Sequence, residues 1–99
     1  MIYAVDIDET ICYTPKDRDY HKSIALTDRI NIINKLYNEG HIIFYWTTRG
    51  VTTGKDWFDF TYKQLTGWGC KFHYLLTNKP MYDRIIDDKS MRPEELEKL

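Results

Sequence analysis

No run of this sequence is apolar for long enough to cross a bilayer, and no basic leader precedes the first carboxylate, Asp6. Both absences predict a cytoplasmic protein with no membrane partner. Cysteine is scarce. Cys12 and Cys70 form neither a disulfide framework nor a metal-ligand spacing, and read as free thiols of a reducing compartment. His21, His41 and His73 stand too far apart in sequence to suggest a zinc site. Positive charge is not in excess: 14 Lys and Arg against 15 Asp and Glu give a net charge of −1. A global basic field for nucleic acid is thereby missing. There is no repeat, low-complexity tract or linker composition, so the 99 residues read as a single domain, 1–99.

What the chain does contain is apolar and aromatic material, 42% and 15% of its residues, enough for a compact core. Residues 2–7 are a short β-branched run and read as a buried strand. Residues 13–22 are polar and charged and include Pro15, the composition of an exposed flap. Ile30, Ile33, Leu36 and Tyr37 recur at helical spacing over 27–39, with Gly40 as the stop. Ile42 to Trp46 is a second strand closed by Thr47-Thr48-Arg49-Gly50, and a second helix is predicted over 55–66. Phe72 to Leu76 reads as a third strand and Arg84 to Ile86 as a short fourth, followed by Asp87 and Asp88. Pro93 to Leu99 starts as a helix would. Trp46, Trp57, Trp68 and Phe44 are expected in the core. Alternating strands and helices imply an α/β fold, a Rossmann-like parallel sheet with flanking helices in three layers.

Ligands of such sheets bind outside the carboxyl ends of the strands, and the polar residues of this chain fall on those ends. Asp6 and Asp8 follow the first strand, Thr47 the second, Asp87 and Asp88 the fourth. Carboxylates two apart at a strand end project to one side and repel, unless a hard cation such as Mg²⁺ lies between them. Asp6 beside such a metal is placed to attack phosphorus in line. Asp8 is placed to protonate the leaving oxygen and later to deprotonate water. Thr47, with Thr48 next to it, offers hydroxyl and amide donors to phosphate oxygens, and Lys79 offers a full positive charge. Asp87 and Asp88 would complete the metal shell, one directly and one through water. Arg49 divides evenly between substrate contact and a surface ion pair.

Asp6-x-Asp8-x-Thr10, the strand ending in Thr47, then Lys79, then Asp87-Asp88 resemble, in order, the four motifs of the haloacid dehalogenase superfamily of phosphatases. The stretch from Asn78 to Lys89 is similar to small capless members linked to capsule or polysaccharide synthesis. The resemblance, which spans residues 2 to about 89, implies a Mg²⁺-dependent phosphatase working through an aspartyl-phosphate. In it Asp6 is the nucleophile and Asp8 the acid/base. The metal is held by Asp6, the carbonyl of Asp8 and Asp87, and the phosphate by Thr47 and Lys79. The expected substrate is a small phosphorylated sugar or capsule precursor. The gaps between motifs leave no room for a cap domain, and the outermost strand of the usual sheet is missing. A homo-oligomer would answer both departures. A signalling receiver domain is disfavoured by motif order. A catalytically silent phosphate-binding module would be marked by a lost nucleophile, yet Asp6 is present. A phosphatase of nucleic-acid ends would need the basic patch this chain does not have.

Overall fold

The computed structural model describes residues 1–99. Ile2–Val5 forms strand β1, followed by a two-residue antiparallel pair, β2 (Cys12–Tyr13) and β3 (Ile24–Ala25). Helix α1 covers Thr27–Asn38, strand β4 Ile42–Trp46, helix α2 Phe58–Gly67 and strand β5 Tyr74–Leu76. Short 3-10 turns occupy Tyr20–Lys22 and Pro93–Lys98. The main sheet has three parallel strands in the order β1-β4-β5, with Val5 level with Tyr45 and Tyr45 level with Leu75.

Local chemistry explains the boundaries. Gly40 takes φ +94° immediately after α1, and the amides of Gly40 and His41 turn back onto Tyr37 and Leu36, satisfying carbonyls at the helix end. Helix α2 begins three residues later than the periodicity predicts, because the Asp56 side chain accepts the Phe58 amide and holds the chain outside the helix until then. β5 likewise starts at Tyr74 rather than Phe72. The preceding His73 is paired to Ile43 through its ring nitrogen and its own amide.

The core lies on one side of the sheet. Val5, Ile43, Tyr45 and Leu75 point into it from the strands, Ile30, Ile33 and Leu36 from α1, and Leu65 from α2. Leu96 of the C-terminal 3-10 turn joins them against α1. Strand alternation sends Ile2, Ala4, Phe44, Trp46, Tyr74 and Leu76 to the opposite face, where Ile2 is 71% and Tyr74 59% exposed. The architecture is therefore α/β with two layers rather than three: both helices cover the same face. Trp46 and Phe44 stand on the open side and are only half-buried.

The predicted fourth strand does not form. Residues 77–92 make an irregular, largely exposed segment in which Ile86 is 99% exposed, and no strand is hydrogen-bonded to the outer edge of β1. Periodicity cannot see this, since Arg84-Ile85-Ile86 has strand propensity but no neighbour to pair with.

Ile33 is 1% exposed at the centre of α1's buried stripe. Ile33→Ala should lower the unfolding free energy by about 2–5 kcal/mol in urea titrations, through lost burial and the cavity left behind.

Candidate active site

The chain leaves β1 at Asp6 and turns sharply. The amides of Thr10 and Ile11 bond back to the Ile7 carbonyl, and Glu9 takes φ +62°. That turn separates the environments of Asp6 and Asp8. The Asp6 side chain is 41% exposed, receives the Thr10 hydroxyl at 3.2 Å, and lies 3.5 Å from the Lys79 ammonium. Its carboxyl is pushed above the usual range by burial, only partly offset by Lys79, the Ile7 amide and Thr10. Asp8 is enclosed. The Arg49 guanidinium grips it bidentately, Nε to Oδ2 at 3.0 Å and Nη2 to Oδ1 at 2.8 Å, while the Thr14 hydroxyl donates to Oδ1. Burial pushes the Asp8 carboxyl up, but the Arg49 bonds and charge, and then Thr14, outweigh it and hold it below the ordinary value.

Arg49 is the best-connected side chain here. It is 3% exposed, its Nη1 donates to Thr61 Oγ1 at 3.2 Å and Gln64 Oε1 at 2.8 Å, and its guanidinium stacks 4.3 Å from the Tyr20 ring centroid. Gln64 in turn donates to the Tyr20 carbonyl. Of the two readings open for Arg49, the ion pair is the one formed, and it is buried rather than on the surface. Tyr20, Thr14 and Gln64 are participants that sequence reasoning missed. Gln64 carried a signal, three positions beyond Thr61 on the inner face of α2, whereas Tyr20 and Thr14 looked like ordinary flap residues.

Thr47 is buried, and its hydroxyl accepts the Arg49 amide at 3.0 Å. Its amide and carbonyl bond Leu76 and Lys79 across to β5. It acts first as the clasp of the sheet's carboxyl edge. Thr48 beside it accepts the Val51 amide. Gly50 is required in that loop: its φ is +86°, and a Cβ would run into the Lys55 carbonyl. The Lys79 side chain is 10% exposed and passes 5.6 Å from the Trp46 ring and 5.4 Å from that of Tyr82. Cys12 contacts Asp8 at 3.6 Å, and burial pushes its thiol up to about 12, so it packs rather than reacts.

Asp6, Asp8, Thr47, Arg49 and Lys79 are thus brought to one edge, as expected. Asp87 and Asp88 are not. They sit on the exposed 77–92 segment, where Asp87 Oδ1 accepts the Lys89 amide, and that bond, with Asp88, lowers the Asp87 carboxyl. No three His, Cys, Asp or Glu side chains gather closely enough to hold a metal ion. A magnesium ion would find the half-exposed Asp6 carboxylate and the Asp8 carbonyl, which accepts no hydrogen bond. The Asp8 carboxylate is already committed to Arg49. As placed, these residues do not close a magnesium site, and the missing donors are the ones the absent fourth strand was to deliver.

No protein-family model and no curated protein sequence matches the chain. Its fold is similar to the crystal structure of an MCSG target protein from Vibrio cholerae, with a TM-score of 0.88 at 22% identity over 99% of this chain and 88% of that one. At that identity the likeness concerns the α/β fold alone. No helix is long and apolar enough to cross a membrane.

The lowered Asp8 carboxyl sets a pH dependence. Its folded value lies below the unfolded one near 3.9, so the pair's stabilisation is complete above about pH 5 and fades as pH falls through the folded value. Arg49→Ala should cost about 3–5 kcal/mol at pH 7 by stranding the Asp8 carboxylate, with a smaller deficit at pH 2–3, both read from urea midpoints.

Proposed function

We propose that the chain is a phosphomonoester hydrolase that carries the phosphoryl group on Asp6. The observation that supports this is the asymmetry of the two aspartates: Asp6 is half-exposed and flanked by an ammonium and a hydroxyl, while Asp8 is fixed behind it as an anion. In the first step Asp6 Oδ attacks phosphorus as the bond from phosphorus to the leaving oxygen breaks. Lys79 neutralises charge on the phosphoryl oxygens. The leaving oxygen takes its proton from solvent, because an Asp8 held ionised by Arg49 has none to give. In the second step water attacks phosphorus, the bond to Asp6 breaks, and Asp8 accepts the proton of the water and passes it on to solvent. Asp8 thus enters this route as the base, within the acid/base assignment that the resemblance implies.

The motif order is what supports a place in the haloacid dehalogenase superfamily, and with it Mg²⁺ as cofactor. Bound, the ion would supply charge neutralisation at the phosphoryl group. Within the chain only Asp6 and the Asp8 carbonyl stand where they could hold it, since Asp87 and Asp88 lie away from that edge. An open, capless edge suits a substrate larger than its phosphate. A phosphorylated sugar or polysaccharide precursor fits that openness, and no residue here selects among such compounds.

The test is release of phosphate from p-nitrophenyl phosphate and a panel of sugar phosphates, with Mg²⁺ and with EDTA. Asp6→Asn should reduce release by at least about a thousandfold while leaving the urea midpoint of the fold in place. Wild-type release that survives in Asp6→Asn overturns the covalent route. Phosphate binding without release would favour the silent phosphate-binding module.

A further inference from the structure

The strands of the main sheet do not alternate between apolar and polar residues. Ile42-Ile43-Phe44-Tyr45-Trp46 and Tyr74-Leu75-Leu76 are apolar or aromatic throughout, the pattern of a parallel sheet buried on both faces. Here the buried residues of α1, α2 and the C-terminal 3-10 turn all belong to the core on one face. The other face presents Ile2 and Ala4 from β1, Phe44 and Trp46 from β4, and Tyr74 and Leu76 from β5, with no charged side chain among them. Phe44 and Trp46 meet edge to face at 6.5 Å on the central strand, beside the shallow depression that Leu76 also lines.

Size and charge choose the partner for this face. Ile2, Tyr74 and Leu76 are 71%, 59% and 45% exposed. With Ala4 and the half-buried aromatics they leave about 500 Å² of mostly apolar surface open. Two such faces in contact would bury about 1,000 Å², where specific but reversible interfaces begin. Because the face carries no charge, a second copy meets it without repulsion, and a net charge of −1 per chain adds little. A lipid surface or an acidic partner would instead be met by free cations. The cation that lies against this face, Lys79, is 5.6 Å from the Trp46 ring and already engaged with Asp6 at 3.5 Å.

We propose that two copies of the chain pair through this face, sheet on sheet about 10 Å apart, about a two-fold axis lying between the sheets. Whether that axis runs along the strands or across them, it sets the central strand β4 on its counterpart. The Phe44 and Trp46 rings of both copies then fill the middle of the contact, as aromatic anchors do in other interfaces. An interface of this area corresponds to a dissociation constant on the order of 10 μM, so the face stands open in dilute solution and closes as the chain is concentrated. The pairing is independent of the phosphatase reading.

Substitutions matched in exposure test the pairing. Leu76 is 45% exposed on the open face of the sheet, and Tyr62 is 48% exposed on α2, which packs against the opposite face. Light scattering over about 1–100 μM should show the mean mass rising from that of the 11.9 kDa chain toward twice that value. Leu76→Lys and Tyr74→Lys should each raise the dissociation constant at least about tenfold with unchanged circular dichroism, since a two-fold axis places every new charge in the contact twice. Tyr62→Lys should leave it unchanged. ANS fluorescence per chain should fall over the same range in the wild type and stay level in Leu76→Lys. A single-chain mass throughout, or pairing that both Leu76→Lys and Tyr74→Lys retain, overturns the proposal. A wild type that stays single and sediments with vesicles of phosphatidylcholine and phosphatidylglycerol would give the face to a lipid surface instead.

Discussion

The guanidinium of Arg49 is the fixed point of this fold. A buried charge costs several kcal/mol to desolvate unless nearly every polar hydrogen finds an acceptor. Here two nitrogens meet Asp8, a third meets Thr61 and Gln64, and the plane stacks on Tyr20. Those partners come from three separate stretches of chain, the end of β1, the flap and the inner face of α2, and Arg49 joins them to the loop after β4. The pair therefore does for the carboxyl edge what Val5, Ile43, Tyr45 and Leu65 do for the apolar interior. It also explains why a 99-residue chain can hold a defined site on loops with little regular structure.

The same interaction separates the chemistry of two acids that are only two residues apart. Proximity alone would raise both carboxyls. Arg49 takes one of them out of the competition by holding Asp8 ionised. Asp6, with a single ammonium at 3.5 Å, has its carboxyl raised by burial. Environment rather than residue type divides the roles, a recurring way in which paired carboxylates acquire different functions.

How much of this was written in the sequence varies with the range of the interaction. The stripe Ile30-Ile33-Leu36 and the run Ile42–Trp46 announced α1 and β4 within a residue or so, since a buried helix face and a buried strand each impose a local period. The gathering of Asp6, Asp8 and Thr47 also followed from strand ends. Arg84–Ile86 failed because strand formation is a property of pairs, and propensity names only one member. The three-layer expectation failed for a related reason: strand order is not written locally, and with the order β1-β4-β5 both right-handed crossovers run the same way and set both helices on one face. Arg49 stayed ambiguous until Tyr20 and Gln64 were seen around it. Contacts 29 and 15 residues apart leave no mark on a local pattern.

The open face of the sheet bears on how the protein behaves at the bench. Phe44, Trp46 and Leu76 border a shallow apolar depression on the face of the sheet that also carries the exposed ring of Tyr74. Environment-sensitive dyes such as ANS, usually taken to report loosened packing, have a place to sit on the fully native molecule. Dye fluorescence will therefore begin from a high baseline and understate the cooperativity of melting. Tryptophan emission will respond to detergents and to the dye itself through Trp46, before any helix has come apart.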